Sequence, residues 1–260
     1  MRHVYLSPHL DDGLLSCGGA IHLHTASDAQ ALVITIFAGE FGGELSPFAR
    51  LQHTYWGDPP QPMALRRAED RAAVTSLGAE ARHLDYLDAV YRAGPDGEWL
   101  YDHEEALWQE VHPADPIDQK GIEALADQLA GQLLPKDGAT VYAPLGVAQH
   151  VDHQLVHAAA RLLLEMGYQV AFYEDYPYAE KAEALASAVE AVGAKQWRIE
   201  EISLRAKDLV AKTCALSYYR SQMSILFGGA EAMPNRVWAF AASRAPRVCL
   251  AERIWWPNKE

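Results

Sequence analysis

Cysteine is scarce in this 260-residue chain: there are three, Cys17, Cys214 and Cys249, far apart and without C-x-x-C spacing. That excludes a disulfide framework and a thiolate zinc site, and the expectation is three reduced, mostly buried thiols. Positive charge is short as well. Lys and Arg number 22 against 35 Asp and Glu, a formal net charge of -13, which excludes a broad electrostatic grip on nucleic acid or an anionic membrane. No apolar run reaches the length of a membrane span, and the N-terminus has no basic segment leading into an apolar one, so a cytoplasmic location is expected. Internal repeats, low-complexity segments and interdomain linkers are also missing. What is present is hydrophobic residues at 50%, enough for a well-buried core, and the expectation is one domain over residues 1–260.

Strand and helix patterns alternate. His3 to Leu6 reads as a short buried strand, Gly13 to Ala20 opens a helix running to about Ser27, and Gln30 to Phe37, rich in β-branched residues, is a second buried strand. Strand, helix, strand implies a parallel sheet. Residues 38–63 are rich in Gly, Pro and aromatics, too irregular for a packed element, and read as a lid. A helix from Ala64 to Leu77 and a strand from Arg82 to Leu87, ending at Asp88, come next. Residues 91–118 form a second irregular lid, with one helical turn around Glu104 to Glu110. Ile122 to Leu134 is an amphipathic helix ended by Pro135; Ala139 to Ala143 is a fourth strand; a helix follows to near Gly167. Val170 to Asp175 and Trp197 to Ile202 read as strands, Glu180 to Val192 and Leu204 to Tyr219 as helices, and Arg247 to Ile254 as a closing strand. The fold class is therefore α/β, with a mostly parallel central sheet.

Two polar clusters each follow a strand: Ser7-Pro8-His9-Leu10-Asp11-Asp12 and His150-Val151-Asp152-His153. In open α/β sheets the loops at the carboxyl ends of strands form the crevice where ligands bind. Imidazole and carboxylate are the zinc ligands left to a protein without paired cysteines, and a catalytic zinc commonly takes three, keeping a position for water. His9, Asp12 and His153 fit that count. Asp11, the spare carboxylate, is placed as general base for the metal-bound water, and His150 to stabilise an oxyanion or protonate a leaving group, with Asp152 near enough to orient an imidazole. Helix capping is the competing reading: Asp11 and Asp12 suit the N-terminus of the first helix, and His150 or Asp152 that of the helix from Val151. The conjunction of two such clusters favours metal. His157 makes an H-x-x-x-H pair with His153, but Gln154 stands where a metalloprotease has Glu, so His157 is read as structural. His22, His24, His53, His83, His103 and His112 lack a partner at ligand spacing and are read the same way.

Pro8-His9-Leu10-Asp11-Asp12-Gly13 and His150-Val151-Asp152-His153 resemble the P-H-P-D-D-E and H-x-D-H motifs of the PIG-L or LmbE-like zinc-dependent de-N-acetylases. The resemblance extends to Arg66-Arg67-Ala68-Glu69 with Leu77-Gly78, to Leu84 to Asp88, to Phe172 to Tyr178 and to Tyr219-Arg220-Ser221-Gln222, and covers nearly the whole chain. It implies a Rossmann-like, three-layer α/β/α fold of LmbE-like type. It also implies zinc, or another divalent metal, held by His9, Asp12 and His153, with Asp11 as base, and His150 assisted by Asp152 at the tetrahedral intermediate. Arg66 or Arg67 and Asp88 would contact a sugar-like substrate. Two residues depart from the motif: Leu10 replaces proline and Gly13 replaces the glutamate.

The expected activity is therefore hydrolysis of an acetyl or small acyl group from an N-acylated amino sugar or its conjugate. The expected partner is a small molecule, with association of like chains left open. Phe41, Tyr55, Trp56, Tyr91 and Trp99 are available to stack on sugar rings, though hinge packing is the better reading for each. Two alternatives are a phosphoesterase with paired metals and an inactive carbohydrate-binding homologue. A dinucleotide site is rejected, because Ser16-Cys17-Gly18-Gly19 lacks G-x-G-x-x-G spacing.

Overall fold

The computed structural model describes residues 2–133, 138–245 and 250–258. Strand β1 (Arg2–Ser7) leads through helix α1 (Asp12–Thr25) to β2 (Gln30–Thr35); helices α2 (Pro47–Tyr55) and α3 (Pro62–Ser76) precede β3 (Glu80–His83). Then come α4 (Gln119–Ala130), β4 (Ala139–Pro144), α5 (Val151–Glu165), β5 (Gln169–Tyr173), α6 (Ala182–Ala191) and β6 (Arg198–Ser203). Helices α7 (Ala206–Leu216), α8 (Met223–Phe227) and α9 (Met233–Ser243) lead to β7 (Ala251–Trp256).

These strands form one sheet in the order β3-β2-β1-β4-β5-β7-β6. The first five are mutually parallel, and β7 runs antiparallel to β5 and β6. β4 is buried along its whole length, as a strand covered on both faces must be. From β1 the chain winds outward to β2 and β3, then returns past β1 to β4 and winds the other way. Right-handed crossovers set α1 and α3 on one face and α5 on the other: α4 packs on α5, while α7, from the C-terminal part of the chain, packs on α1 and meets α3 and α9. The reversal between β1 and β4 leaves a crevice at their carboxyl ends, and both polar motifs begin there.

Residues 38–63 are less irregular than their composition implies, because they contain α2. Ser46 Oγ accepts the Ala49 N–H at 2.9 Å and Pro47 occupies the first turn, a start signal legible in the sequence. Phe48, Ala49 and Trp56 are buried there with Leu10, Met63, Tyr91, Tyr101, Leu107 and Val151, a second core lying over the crevice. Phe41 packs as expected, stacking on Tyr91 at 5.2 Å and meeting the edge of Trp99, but Tyr55 does not, because it is exposed. The third strand is shorter than expected, ending at His83. Beyond it the chain leaves the β2 register, Phe37 bridging to Asp85 and Gly39 N–H donating to the Tyr86 carbonyl at 2.8 Å. A Cβ on Gly39 would lie 2.5 Å from the Asp85 carbonyl oxygen. Gly39→Ala is therefore expected to lower stability by about 1–3 kcal/mol, read as a reduced midpoint in urea unfolding.

Other boundaries move by a few residues: the fourth helix begins at Gln119, α6 spans only Ala182–Ala191, and β7 starts at Ala251 and reaches Trp256. Pro135, the start of the closing strand at Arg247, and Cys249 lie outside the described residues. Cys17 is buried but Cys214 is exposed. Among the described residues no helix is long and apolar enough to cross a membrane.

Candidate metal centre and active site

The turn after β1 is shaped by Ser7, whose hydroxyl donates to the His9 carbonyl at 2.6 Å and accepts the Gly13 N–H at 2.8 Å. Asp11 precedes α1, but its carboxylate accepts no N–H of that helix. Asp12 Oδ2 turns back to accept the His9 backbone N–H at 2.8 Å. Neither carboxylate caps α1, so the capping alternative falls for both. It holds for His150, whose Nδ1 accepts the Asp152 N–H at 3.2 Å at the start of α5.

His9 Nδ1 and His153 Nε2 face the same oxygen, Asp12 Oδ2, at 3.1 and 3.2 Å. Each ring meets a carboxylate on its other nitrogen: His9 Nε2 lies 2.8 Å from Asp152 Oδ2, and His153 Nδ1 lies 2.6 Å from Asp175 Oδ1. His153 Nε2 is buried without a hydrogen-bond partner. Burial opposes charge on both imidazoles. On His9 it is outweighed by Asp88, Asp12 and Asp152, and on His153, pushed up to about 9, by Asp12 and Asp175. The same pairing with His153 and His9 overcomes burial at Asp12 and holds it well below the usual carboxylate range. An N,N,O donor set, two rings with their second nitrogens anchored, and one orphaned imidazole nitrogen together fit a zinc-type ion.

Asp11 has the opposite balance. Burial and the neighbouring Asp12 charge push its pKa up to about 7, against the pull of Arg66 and His9. Arg66, itself buried, lies under the Trp56 ring with a guanidinium nitrogen 4.0 Å from Asp11 Oδ2, and its Nε has no partner. His150 is kept neutral by burial and by His9, whose ring lies edge-on at 4.9 Å; the Trp108 ring also meets it edge-on, at 4.9 Å.

Of the residues singled out in the sequence, His9, Asp11, Asp12, Asp88, His150, Asp152, His153 and Arg66 come together. Arg67 does not: it donates to the Ala38 carbonyl at 2.5 Å and pairs with Asp85 at 2.8 Å. The Asp152 carboxylate is turned to His9 rather than to His150, as the sequence reading had it; to His150 it offers only its N–H. Asp88 lies 3.7 Å from His9 Nε2. Two groupings have donor atoms that all lie within 4.8 Å of one another, His9 with His150 and His153, and His9 with Asp88 and Asp152; His9 is common to both and neither includes Asp12. Two participants were not singled out. Buried Arg92 pairs with Asp152 at 2.6 Å and with Asp115 at 3.0 Å. Asp175 follows β5, and its place on the same sheet edge was the signal that could have found it.

The model of the family described as GlcNAc-PI de-N-acetylase (PIG-L) matches residues 4–164, which hold both motifs. The chain belongs to the PIG-L family. A 2'-N-acetylparomamine deacetylase of Streptomyces fradiae is 30% identical over 195 residues, 71% of this chain and 60% of that protein's length. One from Niallia circulans is 26% identical over 240 residues, 86% of this chain and 82% of that protein. A crystal structure of the zinc-inhibited form of a teicoplanin deacetylase matches with a TM-score of 0.83 at 30% identity over 100% of both chains. The fold is thus the LmbE-like α/β architecture. In this PIG-L member the motif's glutamate position is Gly13, where a Cβ would lie 3.3 Å from Ser7 Cβ and Oγ and 3.4 Å from Val33 Cγ1; Ser7 fills space a side chain there would need.

His157 is structural, as read from the sequence: its Nδ1 donates to the Pro144 carbonyl at 2.9 Å, and burial pushes its pKa down to about 4. Between pH 6.5 and 4 the unfolded chain takes up this proton and the folded chain does not, so stability falls as pH falls. The loss is up to about 3 kcal/mol. His157→Gln, which keeps a donor but does not titrate, is expected to lose correspondingly less in urea unfolding at pH 6.5 and 4.5.

Proposed function

We propose that this protein is a metal-dependent hydrolase that removes an acetyl group from an N-acetylated amino sugar or its glycoconjugate. One observation carries the reading: two imidazole nitrogens converge on a single Asp12 oxygen, each ring anchored behind by a carboxylate. His9, Asp12 and His153 would hold the ion. Zinc bound there would supply polarisation of an amide carbonyl and would acidify water to a pKa of roughly 7. His150 is an alternative third donor, but its Nδ1 is occupied by the Asp152 N–H, which puts the ring's proton on Nε2 and makes that atom a hydrogen-bond donor.

The chain's own residues then divide the work. Asp11, adjacent to the ligands, takes a proton from the attacking water, a role to which its raised pKa is matched. His150 Nε2–H stabilises the oxyanion of the tetrahedral intermediate. The proton held by Asp11 passes to the leaving nitrogen, and acetate and the free amine depart. Arg66 keeps Asp11 from excessive protonation and, with Asp88, meets sugar hydroxyls. Residues 38–63 and 91–118 rim the crevice and select the aglycone, within a single domain. A phosphoesterase would need two ions, yet both donor groupings share His9 and Asp152 is committed to Arg92.

The test is a panel of N-acetylated amino sugars and conjugates incubated with zinc-reconstituted protein, following free amine. One equivalent of amine with one of acetate is expected. No amine release across the panel, together with phosphate released from phosphoesters, would overturn the assignment.

A further inference from the structure

We infer that Asp175, which lies beyond the span matched by the family model, is a positioning residue that sets the metal affinity of the site. This rests on the proposed ligand set. The two oxygens of its fully buried carboxylate serve two ends of the second motif at once. Oδ1 takes the Nδ1–H of His153 at 2.6 Å, which turns the Nε2 lone pair toward Asp12 and raises the ring's basicity. Oδ2 accepts the N–H groups of Gly146 and Val147 at 2.9 and 3.0 Å.

The second pair of bonds holds an unusual piece of backbone. Gly146, Ala148 and Gln149 all have positive φ, at 86°, 68° and 61°, a conformation that costs non-glycine residues of order 1 kcal/mol or more each and persists only when its surroundings enforce it. That loop ends at His150. One carboxylate at the end of β5 therefore fixes the ligand ring and the approach of the residue proposed at the oxyanion. Asparagine cannot reproduce both sets of bonds: its amide nitrogen would face either the two backbone N–H donors or His153 Nδ1, which could accept only by moving the ring's proton to Nε2, the proposed metal-binding atom.

Competition with a chromogenic chelator measures Zn2+ affinity without reference to turnover. Asp175→Asn and Asp175→Ala are expected to bind Zn2+ about 10–100-fold more weakly than wild type, with unchanged far-ultraviolet circular dichroism, and Asp175→Glu to recover part of the loss. His153→Ala in the same titration separates the two levels of the argument. If it loses Zn2+ while both Asp175 variants stay within twofold of wild type, the inference on Asp175 is wrong and the ligand set stands. If His153→Ala binds Zn2+ like wild type, the ligand set falls and the inference with it. Should the Asp175 variants not fold, Co2+-substituted wild type decides: the hyperfine-shifted Nδ1–H resonance of His153 is expected to exchange slowly with solvent, and rapid exchange would overturn the bond's role.

Discussion

Asparagine in place of Asp11 is expected to slow amine release by about 10²–10⁴-fold, the usual worth of a positioned general base, while Zn2+ affinity stays within a few-fold of wild type. The substitution keeps shape and removes only the capacity to accept a proton. Asp11 lies beside Asp12; its backbone N–H donates to the His9 carbonyl at 2.9 Å, and the ion-pair partner of its carboxylate is Arg66 at 4.0 Å. Its raised pKa reflects burial first and Asp12 second, both of which a neutral amide tolerates. Steady-state kinetics of amine release and chelator competition on the same preparation separate the two functions. Equal turnover by wild type and variant would remove Asp11 as the base; lost Zn2+ binding would put it among the ligands.

Arg92→Met is expected to lower global stability by about 3–5 kcal/mol, the cost of leaving buried charge without its partner. The guanidinium reaches Asp152 at 2.6 Å, Asp115 at 3.0 Å and the Leu87 carbonyl at 3.1 Å. All three charged groups are at most 3% exposed, so solvent does not screen the pairing. Removing the cation strands two carboxylates, and one of them, Asp152, anchors His9. Urea unfolding reads the loss directly. Arg92→Lys restores charge but not the planar fork that engages two carboxylates at once, and recovers only part of it. A change under about 1 kcal/mol for Arg92→Met would show that the pairing contributes little.

How far the site was legible follows from where its residues sit along the chain. His9, Asp11 and Asp12 share one turn, and His150, Asp152 and His153 share the start of one helix, so spacing alone gathered each trio. That both trios meet also followed from sequence, because alternating strand and helix patterns imply a parallel sheet whose loops share an edge. Arg66 and Arg67 show the limit. Adjacent helical residues point about 100° apart, and only the packing of α3 turns Arg66 to Asp11 and Arg67 to Asp85. Helix α2 was overlooked for another reason: Gly and Pro dominate its surroundings, although Ser46-Pro47 marked its start.

The order of strands and helices, the two motifs and the scarcity of thiols and positive charge are properties of the sequence by itself, since each depends on local periodicity or on counting. Which carboxylate stands behind which imidazole is not. Asp152 lies one residue from His153 and two from His150, yet it serves His9, 143 positions away. Asp175 reaches back 22 positions to His153, and Arg92 joins Asp115 and Asp152 across both motif and rim. Such long-range pairings decide which nitrogen of each ring is free for a metal. Only the tertiary structure settles them, because burial makes each carboxylate take whichever partner the packed sheet edge puts within reach.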